Sequence, residues 1–124
     1  MHRVVSRVLV LVPFCFATVH AEGDPATGKR QFTQCAACHT VEADGATKVG
    51  PNLHGIIGRK AGSNAGYDYS PAMKSAGFVW DEARLDTYIT KPSVFIPGNK
   101  MAFLGVGKDD VRANIIAYLK AATQ

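Results

Sequence analysis

Cys35-Ala36-Ala37-Cys38-His39 is the stretch on which the reading of this chain turns. Two thiols separated by two residues and followed at once by an imidazole form the attachment sequence of a c-type haem. On a turn leading into and through this segment, both thiols reach the vinyl groups of one porphyrin and form thioether links. His39, next in line, then lies under the iron. Other uses of these side chains fit less well. A dithiol redox pair wants its first cysteine at a helix start after a strand, and no strand pattern precedes Cys35. A structural zinc site needs four ligands. Beyond residue 21, Cys35, Cys38, His39 and His54 are the only Cys or His residues, and His39 adjoins Cys38 too closely for the usual ligand spacing.

Upstream of this motif, residues 1–21 have the form of a secretory signal peptide cleaved after Ala21. A short basic stretch (His2, Arg3, Arg7) precedes the apolar run VLVLVPFCFATV and the small-residue ending Val19-His20-Ala21. The run is too short for a retained anchor, which needs about 20 apolar residues to span a bilayer. Cleavage leaves 103 residues, Glu22 to Gln124, enough for one domain with a thin core. Small exported domains usually need a staple. A disulfide between Cys35 and Cys38 would close too small a loop to restrain the unfolded chain, so the staple has to be a bound group. The same 103 residues carry 12 Lys and Arg against 10 Asp and Glu, about +2, with both signs interspersed. That excludes a nucleic-acid binder, which concentrates base on one face.

Four helical segments stand out. The first starts at Asp24-Pro25, a capping carboxylate followed by proline at the first helical position, and carries Phe32 towards Cys35. A second starts at Ser70-Pro71 with the same grammar and stops at Gly77. The third runs from Asp81 to about Lys91, with Leu85, Tyr88 and Ile89 on one face, and Pro92 ends it. The fourth, from Asp109 to about Ala122, sets Val111, Ile115, Tyr118, Leu119 and Ala122 at helical spacing. Between the first helix and the third, Gly45 to Tyr69 alternates too briefly for a sheet. So long a loop region is poor material for a self-sufficient core, but it suits a chain wrapped around a large apolar object. The expected class is all-α, with no obvious spare apolar face, hence a monomer.

An iron held by His39 has a sixth position to fill, and methionine there raises the potential relative to a second histidine. Met101 lies in the turn-rich loop Ile96-Pro97-Gly98-Asn99-Lys100-Met101-Ala102-Phe103, where a packing role is less natural than ligation. Met73, inside the short second helix, and His54 remain alternatives. A ligating imidazole also needs its other ring nitrogen held, and the turn Gly50-Pro51-Asn52-Leu53 has backbone carbonyls to offer. Buried propionates need donors. Arg59, Tyr69, Trp80 and Asn99 are candidates, although a solvated arginine and ordinary core aromatics would look the same in sequence.

With these residues in view, the chain resembles the class I cytochromes c, close to the mitochondrial cytochrome c and bacterial cytochrome c2 group, from Gly23 to Ala122. The resemblance rests on Gly28 and Phe32, on Cys35 to Val41, and on Gly50-Pro-Asn-Leu-His-Gly55-Ile-Ile-Gly-Arg59-Lys-Ala-Gly62. It continues through Tyr67-Asp-Tyr69-Ser70, Gly77-Phe-Val-Trp80, Tyr88-Ile-Thr-Lys-Pro92, Ile96 to Phe103, and Ile115-Ile-Ala-Tyr118-Leu119. It implies the class I cytochrome c fold around one haem c bound through Cys35 and Cys38. His39 and Met101 would be the axial ligands, with the Pro51 carbonyl on the far nitrogen of His39. Arg59 would support the inner propionate, with Tyr69 and Trp80 as its donors. Tyr88 would contact the methionine ligand, Phe103 would shield the haem face, and Gly28 and Phe32 would meet Ile115 and Tyr118. The implied function is one-electron transfer without catalysis, between a redox donor and acceptor such as a bc1-type complex, an oxidase, a reaction centre or a dehydrogenase. Docking at membrane complexes would be transient, and the leader points to the periplasm. A haem peroxidase or gas-binding protein would require a vacant or labile sixth position. A fixed subunit of a larger dehydrogenase or oxidase would be expected to carry linkers beyond the haem domain.

The chain departs from that family in two places. Ser93 and Val94 stand where the mitochondrial proteins carry a lysine pair near the exposed haem edge, which predicts weaker steering and a shallow salt dependence. The partner is then less acidic at its docking site, or is approached through Lys29, Lys48, Lys91, Lys100 and Lys108. Met73 stands where the family usually has an asparagine in the haem-pocket network, so a drier pocket is expected. Fewer polar contacts and less water act on the potential in opposite senses. Met73→Asn is therefore expected to move the midpoint in a haem redox titration, and an unchanged midpoint would show that the side chain does not tune it.

Overall fold

The computed structural model describes residues 22–124; the expected leader, residues 1–21, lies outside them. Six helices follow in order: α1 (Pro25–Gln31), α2 (Thr33–Ala36), α3 (Pro71–Lys74), α4 (Glu82–Thr90), α5 (Pro92–Phe95) and α6 (Asp109–Ala122). Among the described residues the only β pairing is an isolated antiparallel bridge between Lys60 and Val79. The all-α expectation holds.

The helix starts follow the sequence grammar. Asp24 accepts the Thr27 N–H at 2.9 Å, Ser70 Oγ accepts the Met73 N–H at 3.1 Å, and Asp81 accepts the Arg84 N–H at 2.8 Å, each satisfying an otherwise orphaned donor. Three features differ from expectation. Helix α3 ends at Lys74, short of the Gly77 stop. The first helix breaks at Phe32, which caps α1 and begins α2, so the cysteine segment leaves on a short turn of its own. Pro92 both ends α4 and opens α5 as its first residue, because a proline that cannot continue one helix is well suited to start another.

Helix α6 crosses α1 and α4. Ile115 and Leu119 are buried with Phe32, Val41 and Val106 in one cluster. Ile116, on the neighbouring flank, joins Ile56, Ala61, Tyr69, Met73, Trp80, Leu85, Tyr88 and Ile96 in another. The helix thus buries a wider arc than the single stripe read from its spacing. At the α1 crossing, a Cβ on Gly28 would strike the Asn114 carbonyl and come within 2.9 Å of Tyr118 Cβ, so only glycine permits this approach. Asn114 Oδ1 accepts the Asp24 N–H at 2.7 Å, and the Phe32 and Tyr118 rings meet in a tilted contact with centroids 5.3 Å apart.

Arg112 is buried in the first turn of α6. It donates to Asp86 of α4 at 2.7 Å, to the Val106 carbonyl at 2.9 Å and to Asp109 at 2.6 Å. Those charge-assisted bonds, that to Asp86 foremost, hold its pKa above the usual arginine value and tie two helices to the loop between Met101 and α6. Gly28→Ala is expected to cost about 1–3 kcal/mol through overpacking at the crossing, read as a lower thermal midpoint of the holoprotein. An unchanged midpoint would mean that the α1–α6 contact yields without strain.

Candidate haem site

A predominantly apolar cavity of about 300 Å³ lies between the two clusters. Cys35, Cys38, His39, Pro51, Arg59, Tyr69, Trp80, Tyr88, Asn99, Met101 and Phe103 all line it. The structure therefore gathers every site residue read from the sequence around one space. Met73 lines it as well, whereas His54 turns towards a separate polar cleft with Asn52, Asn64 and Arg59 and drops out as a candidate ligand.

Cys35 sits in α2 and Cys38 just beyond it, and both thiols are unpaired. Burial, with the neighbouring Cys38 second, pushes the Cys35 thiol up to about 11. The His39 N–H is anchored on the Cys35 carbonyl at 3.0 Å, which orders the imidazole relative to the thiols. His39 Nδ1 lies 2.7 Å from the Pro51 carbonyl. A carbonyl only accepts, so the proton is on Nδ1 and the Nε2 lone pair is left available. Burial holds the ring below the usual histidine pKa, against the Pro51 bond, which raises it. The outcome is a neutral, oriented imidazole of the kind a metal takes. Gly50 makes room for it: a Cβ there would sit 2.8 Å from Nδ1 and 3.0 Å from Nε2.

Met101 arrives on a separate, pinned loop. Its N–H donates to Asn99 Oδ1 at 2.7 Å, and its carbonyl accepts the Phe103 N–H at 2.9 Å. Asn99 corrects an expectation. Both hydrogens of its amide go to carbonyls, Pro92 at 2.9 Å and Ile96 at 2.7 Å, so it has no donor left for a propionate and instead organises the methionine loop. Tyr88 Oη donates to the same Asn99 Oδ1 at 3.4 Å. The phenol thus reaches the loop through Asn99, and burial raises its pKa above the tyrosine norm.

Arg59 is spent partly on the chain. Its guanidinium donates to the Asn52 carbonyl at 3.0 Å and the His54 carbonyl at 3.2 Å, and burial lowers its pKa. Tyr69 Oη accepts the Asn64 N–H at 3.3 Å, which leaves its own hydrogen to donate. The sequence reading passed over Asp68. Its carboxylate meets Lys74 at 3.3 Å and Lys100 at 3.2 Å, and Lys100 also donates to the Asp68 carbonyl at 2.6 Å. Nothing local in the sequence signals a contact across 32 residues.

These residues fit a haem. Two unpaired thiols and a neutral imidazole share one apolar cavity with a thioether, and a glycine cradles the imidazole. Beyond the site, no helix among the described residues is long and apolar enough to cross a membrane.

Known proteins agree with this arrangement. The family profile described as cytochrome c matches residues 25–123. Cytochrome c of Theileria annulata is 50% identical over 103 residues, 82% of this chain and 89% of that protein. Cytochrome c2 of Rhodomicrobium vannielii is 45% identical over 108 residues, 87% of this chain and 85% of that protein. Among solved structures, cytochrome cH from Methylobacterium extorquens matches with a TM-score of 0.75 and 42% identity, over 80% of this chain and 99% of that one.

Asn99→Asp keeps the oxygen that receives the Met101 N–H but sets a carboxylate against two carbonyls. It is expected to destabilise the holoprotein by about 1–3 kcal/mol, measured by denaturant unfolding. A variant as stable as the parent would mean that the methionine loop is held by other contacts.

Proposed function

The chain belongs to the cytochrome c family, and on that premise we propose a one-electron carrier with His39 and Met101 as its axial ligands, working between membrane-bound or periplasmic redox complexes. As in its family, the protein transfers electrons rather than catalysing a reaction, and one haem c is bound covalently through Cys35 and Cys38. The haem supplies a reversible change between ferrous and ferric iron.

The observation that carries the ligand assignment is the convergence of two restrained donors on one apolar cavity. His39 is held by Pro51 and Met101 by Asn99. Donors fixed by the protein before any charge arrives need little rearrangement when the charge changes. Leu53, Ile56, Leu85, Ile89 and Leu119 line the same space with apolar side chains, and Met73 adds another where a polar one would hold solvent. Arg59, Tyr69 and Trp80 line the cavity where carboxylates would need donors. A full coordination sphere leaves no position for substrate, which separates this reading from peroxide or gas chemistry.

Residues 1–21 read as a cleaved leader, and the relationship to bacterial cytochromes c2 and cH supports a periplasmic location. The donor and acceptor belong to the class of bc1-type complexes, oxidases, reaction centres or dehydrogenases, met transiently by a monomer.

Optical spectra of the purified holoprotein, oxidised and reduced, with and without carbon monoxide, test the ligand set. A weak sulfur-to-iron band in the ferric form and a ferrous form indifferent to carbon monoxide are expected. A missing band with rapid carbon monoxide binding would mean an open iron and overturn the assignment.

A further inference from the structure

We infer that Asn52 is a positioning residue for His39, acting through the peptide plane that it shares with the Pro51 carbonyl. The inference rests on the ligand assignment and adds the group that fixes the histidine side of the site, as Asn99 fixes the methionine side.

The Pro51 carbonyl and the Asn52 N–H belong to one rigid peptide unit, so the direction in which that oxygen points depends on what holds the residues flanking it. Proline restricts the first flank, because its ring locks φ. Asn52 secures the second. It is buried, at 9% exposure, and both ends of its amide are engaged. Nδ2 donates to the Glu42 and Gly45 carbonyls, each at 2.8 Å, while Oδ1 accepts the His54 N–H at 2.7 Å. Its own carbonyl accepts two bonds from Arg59 at 3.0 Å and a longer one from Asn64 Nδ2 at 3.4 Å. A buried amide satisfied in this way is costly to displace.

The loop around it is shaped to receive that amide. The Gly45 N–H donates to the Glu42 carbonyl at 3.0 Å, closing the turn whose carbonyls Asn52 grips. A Cβ on Gly45 would lie 2.6 Å from Thr40 Oγ1 and 3.0 Å from Asn52 Nδ2, so a larger residue would push the turn off the amide. Thr40, which directly follows His39, donates from Oγ1 to the Ala46 carbonyl at 3.0 Å and accepts the Leu53 N–H at 2.8 Å. The chain from His39 to Pro51 is thereby closed on itself, and the 2.7 Å contact between His39 Nδ1 and the Pro51 carbonyl joins its ends. Asn52 makes no hydrogen bond to the ring. It holds the acceptor still, and a firm acceptor on Nδ1 makes Nε2 the better donor to a metal.

NMR of the 15N-labelled ferrous holoprotein, which is diamagnetic when six-coordinate, tests the proposal by observing the His39 Nδ1–H directly. In Asn52→Ala this proton is expected to move upfield, as a weakened hydrogen bond requires, and to exchange with solvent about tenfold faster than in wild type. The midpoint potential should rise with it, because a less firmly held imidazole is a poorer donor to ferric iron. Asn52→Asp keeps Oδ1 for the His54 N–H but loses both donors. It should shift the resonance in the same direction, and it provides the reading if Asn52→Ala yields no holoprotein. Gly28→Ala, which disturbs the α1–α6 crossing instead, should lower stability and leave the resonance and the midpoint at wild-type values. Asn52 variants that lose stability with the resonance and midpoint unmoved would overturn the proposal. Equal shifts in Gly28→Ala would do the same, as would failure of both Asn52 variants to take up haem while Gly28→Ala does. A wild-type His39 ring without the shifts of an iron-bound imidazole would instead sink the ligand assignment, and the positioning role with it.

Discussion

The attachment of one haem c through Cys35 and Cys38 is the constraint on which the rest of this structure depends. Two hydrophobic clusters share a chain of little more than a hundred residues, and both turn side chains towards a single cavity. Phe32, Ile115 and Leu119 approach from one, and Ile56, Met73, Trp80, Leu85 and Tyr88 from the other. A domain of this size has little core to spare. An apolar group tethered at the meeting point of both clusters completes what their own contacts leave open. The long connection from Gly45 to Tyr69 has the same origin, since it lends Val49, Pro51, Leu53 and Ile56 to the cavity wall rather than pairing into a sheet.

Around that centre, backbone carbonyls and one amide side chain do most of the positioning. The Pro51 carbonyl sets the proton of His39, and Asn99 uses its whole hydrogen-bonding capacity to tie Pro92, Ile96 and Met101 together. Arg112 does the equivalent for the other end of the methionine loop through Val106, Asp86 and Asp109. Both sides of the site are thereby built from short, satisfied polar contacts inside an apolar surround, where leaving any of them unmade would be costly.

The helix starts at Asp24, Ser70 and Asp81 were legible because capping is local: a short polar side chain reaches a backbone N–H three residues on. The 3.6-residue period located α6 at the same bounds that the structure shows. Cys35, Cys38 and His39 were legible for the same reason, since their chemistry depends on adjacent residues. What eluded the spacing was the second use of Pro92 as the start of α5, and the role of Asn99, whose amide looked available to a propionate until its two carbonyl partners came into place.

Taken alone, the sequence determined the haem attachment, the all-helical class, the family and the set of side chains that gather at the cavity, because each was written in short spacings or in many matches in order. Tertiary structure alone decided which polar groups are already spent. Asp68 meets Lys100 across 32 residues and Arg112 meets Asp86 across 26, while Gly28 admits the Asn114 backbone. Such pairings have no local signature: they follow from how α1, α4 and α6 pack and from the paths of the loops over the cofactor. The charge that remains to meet a partner is a property of the folded surface, and a count of lysines does not contain it.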